Sequence, residues 1–84
     1  DLPNITLNIG MMLREVGIHD RATLASVGEK RAWLKIRHLK KTIGVKILMA
    51  LAGAIRGVHV AVLPGDVRQD LTDWWLRYQQ RRSG

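Results

Sequence analysis

The 84-residue chain contains no cysteine. That excludes disulfide scaffolds, thiolate zinc sites, iron–sulfur clusters and cysteine nucleophiles. It fits a reducing compartment, and a cytoplasmic setting is expected. Acidic residues are scarce: 7 Asp and Glu stand against 14 Lys and Arg, for a net charge of +7. Such a shortage of one sign points to polyanionic partners, nucleic acid before an anionic membrane surface. Long apolar runs are also missing. The most apolar stretch, Ile43–Pro64, is interrupted by Lys46 and Arg56. Its charge-free runs reach about half of the ~20 residues that a membrane span needs. The acidic, mixed N-terminus is unlike a secretory signal, which is basic and then apolar. Because it begins at Asp1 rather than Met, the chain is expected to be part of a longer protein.

What is present reads as one small all-α domain, residues 1–84, built from about five short helices. The length allows a single modest core. A first helix is expected from about Thr6 to Val16, where Ile9, Met12, Leu13 and Val16 follow the i, i+3, i+4, i+7 rule. Asn4 or Thr6 can cap it and Gly17 can end it. A short second helix, about Arg21 to Val27, has Asp20 as its N-cap and Gly28 as its stop. A third, about Glu29 to Lys41, has Ala32, Ile36, Leu39 and Ile43 as its inner stripe. The fourth, about Val45 to Arg56, is apolar nearly all round and should be central. The fifth starts near Pro64 and runs to about Gln80, with Val67, Leu71, Trp74, Trp75 and Tyr78 inward. The final Arg81–Gly84 reads as a frayed tail.

Three segments carry candidate function. The first is the turn Gly17-Ile18-His19-Asp20-Arg21, which resembles a helix-hairpin-helix. In that motif backbone N–H groups at the second helix's start face a DNA phosphate. His19, in place of a second small residue, obstructs close approach, and Asp20 repels phosphate. The same residues also suit a plain αα-hairpin. The second segment is the basic block. From Glu29 to Lys46, seven cations (Lys30, Arg31, Lys35, Arg37, Lys40, Lys41, Lys46) stand against one anion. Lys30, Arg31, Lys35, Arg37 and Lys41 spread over the face opposite Ala32 and Ile36, a one-signed surface suited to a nucleic-acid backbone or to solubility. The third is the aromatic set. Trp74 and Trp75 are adjacent and point about 100° apart, so one should lie in the core and the other nearer the surface. With Tyr78 they make a protein-interface candidate.

Nothing reads as an enzyme. Asp66, Asp70 and Asp73 suit the positive end of the fifth helix, and Asp73 can pair with Arg77 four residues on. His19, His38 and His59 lack metal-ligand spacing. No cofactor and no small-molecule substrate are expected. Two binding readings remain: a module for duplex DNA, and a module that docks another regulatory protein without touching DNA.

The order Leu2-Pro3-Asn4-Ile5, Val16-Gly17-Ile18, Leu24 to Gly28 and Ala32-Trp33 is followed by Gly44-Val45, Leu48, Ala50-Leu51 and Gly53-Ala54-Ile55. Gly57, His59 and Leu63-Pro64 complete the set. This order resembles the C-terminal domain of the TfoX/Sxy family, bacterial regulators of natural competence. The resemblance implies a small helical domain with a helix-hairpin-helix-like core, placed after an α/β N-terminal domain. It implies a regulator that promotes transcription of DNA-uptake genes with the cyclic-AMP receptor protein, and it carries over no catalytic residue. Ala52 and Val60 stand where the family usually has an acidic and an aromatic residue.

Overall fold

The computed structural model describes residues 4–83. Leu2 and Pro3 of the resemblance, and Gly84 of the expected tail, lie outside the described residues. Five α-helices follow in order: α1 Leu7–Glu15, α2 Arg21–Val27, α3 Glu29–Leu39, α4 Val45–Arg56 and α5 Gly65–Ser83. A 3-10 turn, Val60–Val62, links α4 to α5. It takes up the last three residues of Val58-His59-Val60-Ala61-Val62, whose apolar residues alternate as in a strand, and no strand occurs among the described residues. The fold is all-α.

Local chemistry sets each boundary. The Thr6 hydroxyl accepts from the Ile9 N–H and opens α1. Gly17 closes that helix's exit at φ +84°, a left-handed conformation that L side chains rarely adopt. Asp20 caps α2 by accepting from the Thr23 N–H at 2.7 Å. The Pro64 carbonyl accepts from the Arg68 N–H and starts α5.

The core is centred on α4, whose Leu48, Met49, Ala50, Leu51, Ala52, Gly53 and Ala54 are all buried. α2, α3, α5 and the 3-10 turn pack on it. Ala50, Ala52, Gly53 and Ala54 leave room for neighbouring backbone on several sides. Ile9, Leu13, Ile18, Leu24, Ala32, Trp33, Ile36, Leu63 and Leu71 complete the buried set.

Three expectations need correction. α3 stops at Leu39, not Lys41: the Lys40 N–H bonds to the Ile36 carbonyl, and Lys40 itself turns extended. Leu39 is 49% exposed rather than part of the inner stripe. The fully buried Trp33 moves the inner face of α3 round towards itself and Ile36, which leaves Leu39 at the edge. At the other end, the backbone continues helical to Ser83 where fraying was expected from Arg81. Gln79, Gln80 and Arg81 are good helix formers and no glycine interrupts them.

Asn4 fastens the N-terminal segment to the stretch that leaves α4. It takes a left-handed φ of 67°, which asparagine tolerates better than most residues. Its Nδ2 donates to the Val58 carbonyl at 2.8 Å, and its Oδ1 accepts from the Val60 N–H at 2.9 Å. This clasp closes over Gly53. A Cβ there would collide with the Asn4 side-chain amide and lie 2.9 Å from the Val58 carbonyl oxygen. Gly53→Ala is therefore expected to destabilise the fold by about 1–3 kcal/mol in urea unfolding. Gly10→Ala, whose Cβ would meet only Ile5 at 3.8 Å, is expected to stabilise it by about 0.5–1 kcal/mol. Equal effects at the two sites would refute the clasp.

Candidate nucleic-acid interface

The cations of the basic block do not share one face. Lys30 pairs with Asp70 on α5 at 3.0 Å, so it is partly neutralised within the fold. Arg31 and Lys35 are exposed on the outer side of α3, and Arg37 is half-buried. Because α3 ends early, Lys40 and Lys41 project from the α3–α4 turn. Lys46 is exposed on the first turn of α4. The sole anion of the block, Glu29, accepts from Arg56 at 2.7 Å. That pair ties the start of α3 to the end of α4, where each charge also suits its helix end. The block thus leaves Arg31, Lys35, Lys40, Lys41 and Lys46 open to solvent, with Arg37 partly so. Beside them, Leu34 and Leu39 line a shallow trough with Glu15, Val16, Lys35 and His38.

The α1–α2 turn is a short connection whose polar groups are engaged. Gly17 is left-handed and Ile18 is buried in the core, while His19 is exposed. The Asp20 carboxylate occupies the α2 start. Arg21 donates from Nε and from its terminal nitrogen to the Ile55 carbonyl, at 3.3 and 3.0 Å. It therefore stitches α2 to the last turn of α4, lying against Gly57. An open groove of about 720 Å³ runs beside this turn, where Leu7 and Met11 of α1 face Arg14, His19 and Arg21.

The aromatic residues point inward more than expected. The buried Trp33 ring meets Trp74 and Tyr78 edge-on, at 5.6 and 5.1 Å between centroids. Trp74 and Tyr78 stack on each other at 5.9 Å. Trp75 is also partly buried and packs on the core, its indole N–H buried without an acceptor among the described residues. Neither tryptophan of the pair stands out from the surface. Asp73 accepts from Gln69 rather than from Arg77. No group of three or more His, Asp or Glu that could hold a metal occurs among the described residues. No helix there is long and apolar enough to cross a membrane.

Comparison with known proteins decides the family. The TfoX C-terminal domain model matches residues 1–75. The chain belongs to the TfoX C-terminal domain family. Protein Sxy of Escherichia coli is 43% identical over 74 residues, 88% of this chain and 35% of that protein. DNA transformation protein TfoX1 of Aliivibrio fischeri is 32% identical over 72 residues, 84% of this chain and 34% of that protein. The chain thus spans about a third of the length of these curated relatives. An uncharacterized protein from Listeria monocytogenes, in a triclinic crystal form, superposes with a TM-score of 0.91 at 28% identity, covering 94% of this chain and 90% of that one. A protein of unknown function from the same organism, in a tetragonal form, gives 0.88 at 28% identity, covering 90% and 93%. Within this TfoX C-terminal fold, Ala52 is fully buried. A small apolar side chain suits that position.

Sequence reasoning missed the two cross-helix ion pairs and the Arg21 stitch. Each joins residues 27 to 40 positions apart, and no local spacing signals such a pair.

Asp20 gives a pH test of the hairpin. The Thr23 N–H, then the Thr23 hydroxyl, hold its carboxyl below its ordinary range, with His19 adding a weaker pull. A lowered folded-state pKa contributes stability that is present above the ordinary aspartate range and is lost as pH falls through the folded value. Acid unfolding followed by circular dichroism should show this loss below about pH 4. Asp20→Asn, which keeps a capping oxygen but does not titrate there, should flatten it; an unchanged acid profile would remove Asp20 from the account.

Proposed function

We propose that this chain is a non-catalytic regulatory module that holds nucleic acid, duplex DNA first, on the cations of α3, the α3–α4 turn and the start of α4. One observation carries the reading: between Glu29 and Asp66 the chain has no carboxylate side chain, and six of its cations there (Arg31, Lys35, Arg37, Lys40, Lys41, Lys46) form no ion pair among the described residues. Unpaired cations of one sign, carried on α3, the turn after it and the first turn of α4, fit a long phosphate backbone, which supplies sequence-independent, salt-sensitive affinity. The family supports a regulatory role, as does likeness to a protein named for DNA transformation. We read residues 1–84 as one domain of this type, competence-regulator-like and acting in the cytoplasm.

In this reading the hairpin is structural. Gly17 and Ile18 shape and anchor the turn, Asp20 caps α2, and Arg21 is committed to the Ile55 carbonyl. Of the hairpin residues, His19 alone projects freely. Protein docking through Trp74, Trp75 and Tyr78, without DNA contact, has less support, because those rings pack on Trp33 and the core.

Anisotropy of a labelled 20-base-pair duplex, titrated at several salt concentrations, tests the proposal. Affinity should fall linearly in log–log form as salt rises. Charge reversal at Lys35, Arg37 and Lys41 together should weaken binding at least about tenfold at low salt, with helicity retained. Unchanged binding in that variant, or no binding by the wild type at low salt, would overturn the reading and turn attention to a protein partner.

A further inference from the structure

A second set of cations lies on α3 and α5, which touch each other through a few long side chains. Lys30, Trp33 and Arg37 share one stripe of α3, at i, i+3 and i+7. Asp70, Trp74 and Tyr78 share one stripe of α5, at i, i+4 and i+8, and the next residue on it is Arg81. The two stripes face each other: Lys30 bonds to Asp70, and Trp33 meets Trp74 and Tyr78. These contacts advance in the same direction along both helices. Continued one turn further, the same register carries the α3 stripe to Arg37 and the α5 stripe to Arg81, with Arg77 on the stripe beside it.

This seam therefore begins with opposite charges and ends with like charges. From Trp74 onward α5 has no carboxylate side chain. The two nearest aspartates before it are engaged: Asp70 with Lys30 and Asp73 with Gln69. Helix-end electrostatics accounts for Arg81 in the last turns but not for Arg77, since the dipole effect fades within one turn. All three cations are arginines, whose planar guanidinium matches phosphate oxygens in pairs where a lysine offers a point charge. An anion between the two helix ends would relieve the like-charge meeting. Arg77 and Arg81 also lie beyond residues 1–75, the part matched by the family model.

We propose that Arg37, Arg77 and Arg81 form a phosphate clamp at the joined C-terminal ends of α3 and α5, extending the nucleic-acid contact from α3 onto α5. The proposal rests on the nucleic-acid reading above and adds to it a second helix and two residues. The contacts of Trp33 with Trp74 and Tyr78 set the register of the two helices one turn before these arginines.

The test uses the whole 84-residue protein and the same 20-base-pair duplex, with Arg77→Gln/Arg81→Gln beside the wild type. Loss of two phosphate contacts should lower the log–log salt slope by about 2 and weaken binding equally for unrelated sequences. Arg77→Lys/Arg81→Lys, which keeps charge and helicity, should preserve most of the slope while weakening binding several-fold; it also serves if the Gln variant fails to fold. An unchanged slope and affinity in both variants, with the Lys35/Arg37/Lys41 reversal still defective, would overturn the clamp and leave the α3 reading standing. No wild-type binding to the duplex, or binding only to phosphatidylglycerol vesicles, would overturn both.

Discussion

Trp33 is the residue on which the rest of the arrangement depends. Its ring is fully buried, and its indole N–H donates to the Gly44 carbonyl at 2.9 Å. One side chain thus joins three parts: the middle of α3, the turn that leads into α4, and the Trp74–Tyr78 stack of α5. The hydrogen bond matters because a buried indole N–H without an acceptor is costly. It also matters because Gly44 begins α4, so the bond fixes where the central helix enters. Truncating a buried tryptophan of this kind costs about 3–5 kcal/mol, a large part of the stability of so small a domain. The edge-to-face contacts add direction to the burial, since rings of this type favour that geometry over a flat sandwich.

The position of the cations follows from this packing. A helix with one inner stripe of small aliphatic residues would lie with Ala32, Ile36 and Leu39 inward and its lysines spread evenly outward. Trp33 is too large to be left aside. It rotates the buried face, brings Lys30 and Arg37 to the α5 side, and pushes Leu39 towards solvent. The same rotation separates two classes of charge. Lys30 finds Asp70 and becomes part of the fold. Arg31 and Lys35 remain outside, where a long polyanion can reach them. The domain therefore carries fewer free cations on α3 than its composition suggests, but they are followed by Lys40 and Lys41 on a turn rather than on a helix side. A turn presents its lysines with more rotational freedom and suits a backbone contact without fixed register.

Much of this was legible in the residues, and the misses share a cause. Asp20 and Gly28 marked α2, because capping is decided by a few adjacent residues. The inward face of α5 was legible because Val67, Leu71, Trp74 and Tyr78 repeat at helical spacing. Leu39 was misplaced because periodicity weights every apolar residue alike and cannot tell which one a neighbouring helix will accept. The end of α3 was misplaced because Lys40 and Lys41 are good helix formers; the stop comes from the need to turn Ile43 and Gly44 back towards the core. Arg21 read as a hairpin cation because its acceptor, the Ile55 carbonyl, lies 34 residues away. Of the binding surface, the residues were legible and their partition into paired and free was not. That partition depends on which helices meet, which the spacing of one helix does not encode.

The Arg21 stitch also bears on how a basic module keeps specificity for its own fold. A chain with a net charge of +7 repels itself, and its stability rises when cations find acceptors. Four of its cations are absorbed without creating a rigid charged core: Lys30 on Asp70, Arg56 on Glu29, Arg21 on the Ile55 carbonyl and Arg68 on the Val60 carbonyl. One of these acceptors, the Ile55 carbonyl, lies in the last turn of α4, where carbonyls lack a helical partner and need a donor in any case, whereas the Val60 carbonyl also accepts from the Leu63 N–H. Using arginine there engages backbone carbonyls with cations that stay near the surface, and the cations left without such partners include those of α3, the α3–α4 turn and the second half of α5. Charge placement and helix termination are in this sense one problem in this domain, solved by the same side chains.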